Sequence, residues 1–120
     1  MGLDLQLLPV SNRLSSQDWF SHTVLDCERR RGLFEAIQEL RGERVPETFH
    51  TYVSRDAEYE ESHYGNTQTT SYDEPLKHVS VRELLFFASH EGVKDNPLNS
   101  AIWAYLSELP PEMRVALYWY

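Results

Sequence analysis

The chain has a single cysteine in 120 residues, Cys27. A lone thiol excludes an internal disulfide framework and suits a reducing, cytoplasmic setting. No apolar run approaches the ~20 residues that a membrane-spanning helix needs. The N-terminus has neither a basic region nor a small-residue cleavage site, so no secretory signal is expected. Met1-Gly2 opens as a myristoylation site does, but position 6 is Gln6 rather than Ser or Thr. Basic charge is also scarce. Eleven Lys and Arg stand against nineteen Asp and Glu, a net charge of −8. Neutralising phosphates takes Lys and Arg, so direct nucleic-acid binding is not expected. There is no Walker loop and no Gly-x-Gly-x-x-Gly, hence no standard phosphate cradle. The five histidines, His22, His50, His63, His78 and His90, make no zinc spacing such as His-Glu-x-x-His, and Cys-x-x-Cys is absent. No metal and no cofactor are implied. No internal repeat is present.

Apolar content is ample. Hydrophobic residues make up 41% of the chain, with three Trp, seven Tyr and five Phe, which argues for a folded globule rather than a disordered chain. The length suits one domain, residues 1–120, with a single core.

Local patterning divides the chain. Leu3, Leu5 and Leu7 alternate with Asp4, Gln6 and Leu8, so Gly2–Val10 reads as a half-buried strand ending near Pro9. Ser11–Asp18 is polar and turn-like. Trp19–Leu25 alternates again and reads as a second strand. Asp26 is placed to cap a helix over Cys27–Arg41, with Leu33, Phe34, Ile37 and Leu40 as its stripe and Gly42 at its end. Phe49, Thr51 and Val53 mark a third, short strand. Leu76–Val79 reads as another brief one. Ser80 and Glu83 form a capping box for a helix over Val81–Glu91, closed by Gly92. Asn96-Pro97 caps and starts a further helix, whose stripe is Leu98, Ala101, Ile102, Tyr105 and Leu109 and which stops at Pro110-Pro111. Met113 to Tyr120 alternates as a last strand. So apolar a terminal strand should be paired inside a sheet. The whole predicts an α+β fold. It has a mostly antiparallel sheet of about four strands, with about three helices on one face.

Residues 55–75, RDAEYEESHYGNTQTTSYDEP, fit neither a helical nor a sustained strand period. Loops beyond about 12–15 residues are usually functional or disordered. This segment has six carboxylates and one Arg, so it holds −5 of the net charge, whereas Asp26–Arg44 balances five Arg against five acids. Tyr59, Tyr64 and Tyr72 add the large, few-rotor side chains that recognition surfaces favour. Ser62-His63-Tyr64-Gly65-Asn66 is its densest polar cluster, and Gly65-Asn66 suits a tight turn.

Three chemistries are open. Acidic, Tyr-rich 55–75 can engage a protein partner with a basic surface, using Tyr59, Ser62, His63, Tyr64 and Tyr72. Alternatively, Arg29 and Arg30 at the start of the first predicted helix, with His22 nearby, can hold a phosphate-containing small ligand on free backbone N–H groups. The competing assignment pairs Arg29, Arg30 and Arg31 with neighbouring acids or with the acidic segment. Last, Cys27 reads first as a small, buried, inert thiol at a strand–helix junction; as an enzyme's nucleophile it would instead have a pKa lowered by a helix N-terminus and three Arg, with His22 as base, or Ser62 and His63 would act together. No membrane partner is expected, and self-association is compatible with the sequence.

MGLDLQLLPV, FSHTVLDCERRRGLFEAI, ESHYGNT and LPPEMRVALYW together resemble small uncharacterised proteins encoded by bacteriophages and prophages. The resemblance implies a cytoplasmic, accessory role during infection. It carries over no catalytic residue.

Overall fold

A computed structural model describes residues 3–10, 12–13, 19–46, 49–54, 62–66, 70 and 74–120; of residues 12–13, 50–54 and 62–66 it describes the backbone. The fold is α+β. Its centre is an antiparallel five-stranded sheet built from β1 (Leu5–Pro9), β4 (Leu25–Asp26), β5 (Glu43–Arg44), β8 (Lys77–Ser80) and β9 (Arg114–Trp119), in the order β4-β1-β9-β8-β5. The terminal strand β9 is the middle strand, pairing β1 from Leu5↔Trp119 to Pro9↔Val115 and β8 from Lys77↔Leu117 to Ser80↔Arg114. A strand with Val115, Ala116 and Leu117 all buried is stable only there, with neighbours on both edges and layers on both faces.

The period-2 pleat sorts the sheet into two faces. Leu5, Leu7, Val79, Val115 and Leu117 face the helices. Leu8, Val10 and Ala116 face the other way, into a second cluster with Val45, Phe49 and Leu76. The first strand is therefore buried on both faces, not half-buried as its alternation suggests.

Among the described residues, four α-helices cover the first face: α1 (Arg31–Gln38), α2 (Val81–Leu85), α3 (Glu91–Lys94) and α4 (Pro97–Ser107). α1 buries Leu33, Phe34 and Ile37, and the chain leaves it through Gly42 at φ +62°, a left-handed conformation that glycine tolerates. Yet it starts four residues later than expected. Arg30 is its N-cap, without a capping bond from its side chain, and Cys27 belongs to the preceding connection, its N–H bonded to Leu5 O at 3.0 Å. Asp26 is occupied in β4, which pairs with β1. Sheet pairing overrides the capping preference.

The Ser80–Glu83 capping box forms in full. Its helix is short, however. α2 tightens into a 3-10 segment at Phe86–Ser89. The chain then restarts at His90, whose Nδ1 accepts the Gly92 N–H at 2.9 Å. Gly92 therefore lies within α3 instead of closing the second helix. Its role is close approach. A Cβ there would stand 2.7 Å from Leu33 Cβ and 3.1 Å from Arg30 Cβ. Asn96 caps α4 through Asn99 N–H, with Pro97 at the first turn.

A second sheet, in the order β2-β3-β6-β7, comprises β2 (Asn12–Arg13), β3 (Trp19–Ser21), β6 (Phe49–Ser54) and β7 (Ser62–Asn66). β3 and β6 are parallel and the other pairings antiparallel. It meets the first sheet's helix-free face through Trp19 and Phe49. The expected strand Trp19–Leu25 is thus two, Trp19–Ser21 in this sheet and Leu25–Asp26 in the other. The acidic segment is likewise not one long loop. Its residues 62–66 pair with β6 from Ser54↔Ser62 to His50↔Asn66, and Gly65-Asn66 lies in strand register, not in a turn.

Candidate functional site

The Arg-rich connection before α1 is bound into the fold by its own side chains. Arg29 Nη2 and Nε donate to the two Asp4 carboxylate oxygens at 2.6 and 3.1 Å. That fork holds the Asp4 carboxyl below the usual carboxylate range. Arg30 lies 3.3 Å from Glu28 and also donates to Arg29 O at 3.1 Å. Arg31 pairs with Glu35 one turn on, at 2.9 Å. The charged-face assignment is therefore the observed one, with Asp4, Glu28 and Glu35 as the partners.

A groove of about 300 Å³ runs beside these residues, between the start of α1 and α3. Arg30, Arg31, Gly32 and His90 line it, but so do Glu91 and Asp95. Its charge is mixed, a poor match for an anion. A smaller pocket of about 130 Å³ near the end of α1 is lined in part by Gln38, Thr70, Glu74 and Lys77.

Cys27 is 4% exposed, and burial, reinforced by Asp26, pushes its thiol up to about 12. The buried, inert reading of Cys27 is thus the one the structure favours over the nucleophile. The helix dipole and cations that would stabilise a thiolate are replaced by an apolar site and a carboxylate. His22 is exposed after β3, stacked on Phe20 with centroids 6.2 Å apart. Ser62, His63 and Tyr64 take successive positions on β7, opposite Ser54, Val53 and Tyr52. Tyr59 and Tyr72 lie outside the described residues. The structure thus gathers Arg29 and Arg30 around Asp4 and Glu28.

Two polar assemblies escape sequence reasoning. The first centres on Asn99, fully buried in α4. Its Oδ1 accepts Glu28 N–H at 2.7 Å, and its Nδ2 donates to Glu28 O at 2.9 Å and Gly92 O at 3.0 Å. Asn96 Nδ2 adds a bond to Glu28 Oε1 at 3.0 Å. Asn99 thereby pins the Arg-rich connection to α3 and α4. The second is His78, 4% exposed between the sheets, accepting Arg114 Nε–H at 2.8 Å. The only sequence signal for either is a polar residue inside an apolar stretch. Partners 36 and 71 residues apart give no local clue.

Among the described residues, no three His, Cys, Asp or Glu side chains group closely enough to hold a metal ion, and no helix is long and apolar enough to cross a membrane. No protein family, curated protein or solved structure matches the chain.

Proposed function

We propose that this chain is a non-catalytic binding protein, an accessory factor of the kind that phages and prophages encode. Its acidic, Tyr-rich segment 55–75 engages the basic surface of a bacterial or phage protein in the cytoplasm. What supports this reading is where the cations are spent. Arg29, Arg30 and Arg31 are paired with Asp4, Glu28 and Glu35. Each of these three Arg already has a carboxylate partner, and residues 55–75 carry −5 of the net charge. A concentrated single-sign charge steers association with a surface of the opposite sign. The catalytic alternative loses its best nucleophile with the burial of Cys27. The phosphate alternative is opposed by Glu91 and Asp95, which line the groove beside Arg30.

The test starts with capture of a partner from infected bacterial lysate at low salt, followed by binding measurements on the purified pair. Replacing Glu58, Glu60 and Glu61 together by Gln should slow association at least about tenfold at low salt and flatten its salt dependence. An unchanged rate and salt slope refutes the electrostatic reading.

A further inference from the structure

His78 plays no part in the partner-binding reading. It sits on β8 opposite Ala116, on the sheet face turned from the helices. Trp19 of β3 meets its ring edge-on, with centroids 4.9 Å apart and planes at 62°. Trp19 packs on the cluster that contains Leu8, Val10 and Phe49, so it belongs to the seam between the sheets. On its other side His78 is held by Arg114, which donates to Nδ1 at 2.8 Å and reaches the His78 carbonyl oxygen at 3.4 Å.

The direction of that bond fixes the state of the ring. A guanidinium only donates, so Nδ1 must accept, and the imidazole is neutral with its proton on Nε2. A second proton would set two donors against each other beside a fixed positive charge. We propose that His78 is a pH-sensitive latch between the two sheets. Neutral, it holds β3 and the strands paired beyond it against the first sheet; protonated, it releases them while the helical face stays packed.

The groups around the ring act in both directions. Burial and Arg114 of β9 oppose protonation, burial more strongly. Glu43 of β5 and Glu83 of α2 favour it, and the balance holds the ring below its ordinary 6.5. A released His78 takes its proton near 6.5, a docked one only at lower pH. As pH falls from 6.5 toward the docked value, the released form binds more protons, so docking weakens over that window and is intact above it.

The experiment is NMR titration of the full chain from about pH 7.5 to about pH 5, the range in which histidine charges. The His78 ring should titrate with a midpoint below 6.5, and the Trp19 indole and the β3 and β6 amides should shift with that same midpoint. The Trp103 indole, bonded to Leu84 O at 2.7 Å among the helices, should not shift. His78→Gln offers Arg114 a neutral amide oxygen and does not titrate, so its Trp19 signal should stay constant. A His78 midpoint at or above 6.5 overturns the latch, as attraction of the cation to the Trp19 ring would produce. Trp19 signals that ignore the His78 midpoint, or an unchanged Trp19 transition in His78→Gln, also overturn it. The wild-type titration decides the matter even if the variant does not fold.

Discussion

Asn99→Leu should be among the most damaging single changes in this chain. The substitution nearly conserves volume but removes every hydrogen bond that the carboxamide makes. Three backbone groups lose a partner: Gly92 C=O, Glu28 N–H and Glu28 C=O. Gly92 is buried, and the leucine leaves no room for a replacement water, so its carbonyl bears the desolvation cost of an unpaired buried group, about 2 kcal/mol. Glu28 is half-buried, and its two groups lose about 1 kcal/mol each as water partly replaces the amide. Extra apolar burial returns part of this. The net loss is about 3 kcal/mol, a large share of the roughly 5–15 kcal/mol of a typical domain. In thermal unfolding it corresponds to a fall in Tm of roughly 10 °C. Asn99→Asp is the informative control. It keeps the acceptor for Glu28 N–H but turns a carboxylate toward two carbonyl oxygens. Burial and those oxygens raise the folded-state pKa of the introduced carboxylate. Its penalty should therefore be full at neutral pH and shrink as pH falls through that raised value. Urea denaturation at two pH values measures both effects. A loss below about 1 kcal/mol for Asn99→Leu would refute the idea that Asn99 holds the Arg-rich connection in place.

Gly92→Ala should cost about 1–3 kcal/mol, because its Cβ would stand 2.7 Å from Leu33 Cβ and force α1 and α3 apart. Gly32→Ala, where the nearest atom is His90 Cε1 at 3.8 Å, should instead stabilise by up to about 1 kcal/mol in the same denaturation assay. Equal effects at the two glycines would contradict the packing account. Cys27 should resist thiol reagents at neutral pH, since a pKa of about 12 leaves about one thiolate in 10⁵ thiols. Labelling should become complete in denaturant, and rapid labelling of the native chain would restore the nucleophile reading.

How much of this was legible in the chain depends on the range of each interaction. The Ser80–Glu83 capping box, the Asn96-Pro97 helix start and the turn at Gly42 are set within four residues. The first two form as their sequences predict, whereas Gly42 takes its left-handed conformation three residues beyond Glu39, the C-cap of α1, instead of closing a helix at Arg41. The helix predicted over Cys27–Arg41 kept its stripe of Leu33, Phe34 and Ile37 but lost its first turn. Cys27 and Asp26 are claimed by β1 across the sheet. The helix over Val81–Glu91 ended at Leu85, and after a 3-10 segment the chain restarted at His90, where Gly92 is needed for close contact with α1.

The candidate site shows the same division. That Arg29–Arg31 would find acids was readable from composition, and Glu35 from helical spacing. That Arg29 would find Asp4, 25 residues away, was not. Charge content, the lone thiol and the identity of the caps are properties of residues and their near neighbours, so the sequence alone determined them. The strand inside the acidic segment and the bonds of Asn99 and His78 were decided by tertiary structure. Each depends on strand register and on which layer closes over which face. Those follow from summed burial across the whole chain, and no short stretch of residues encodes them.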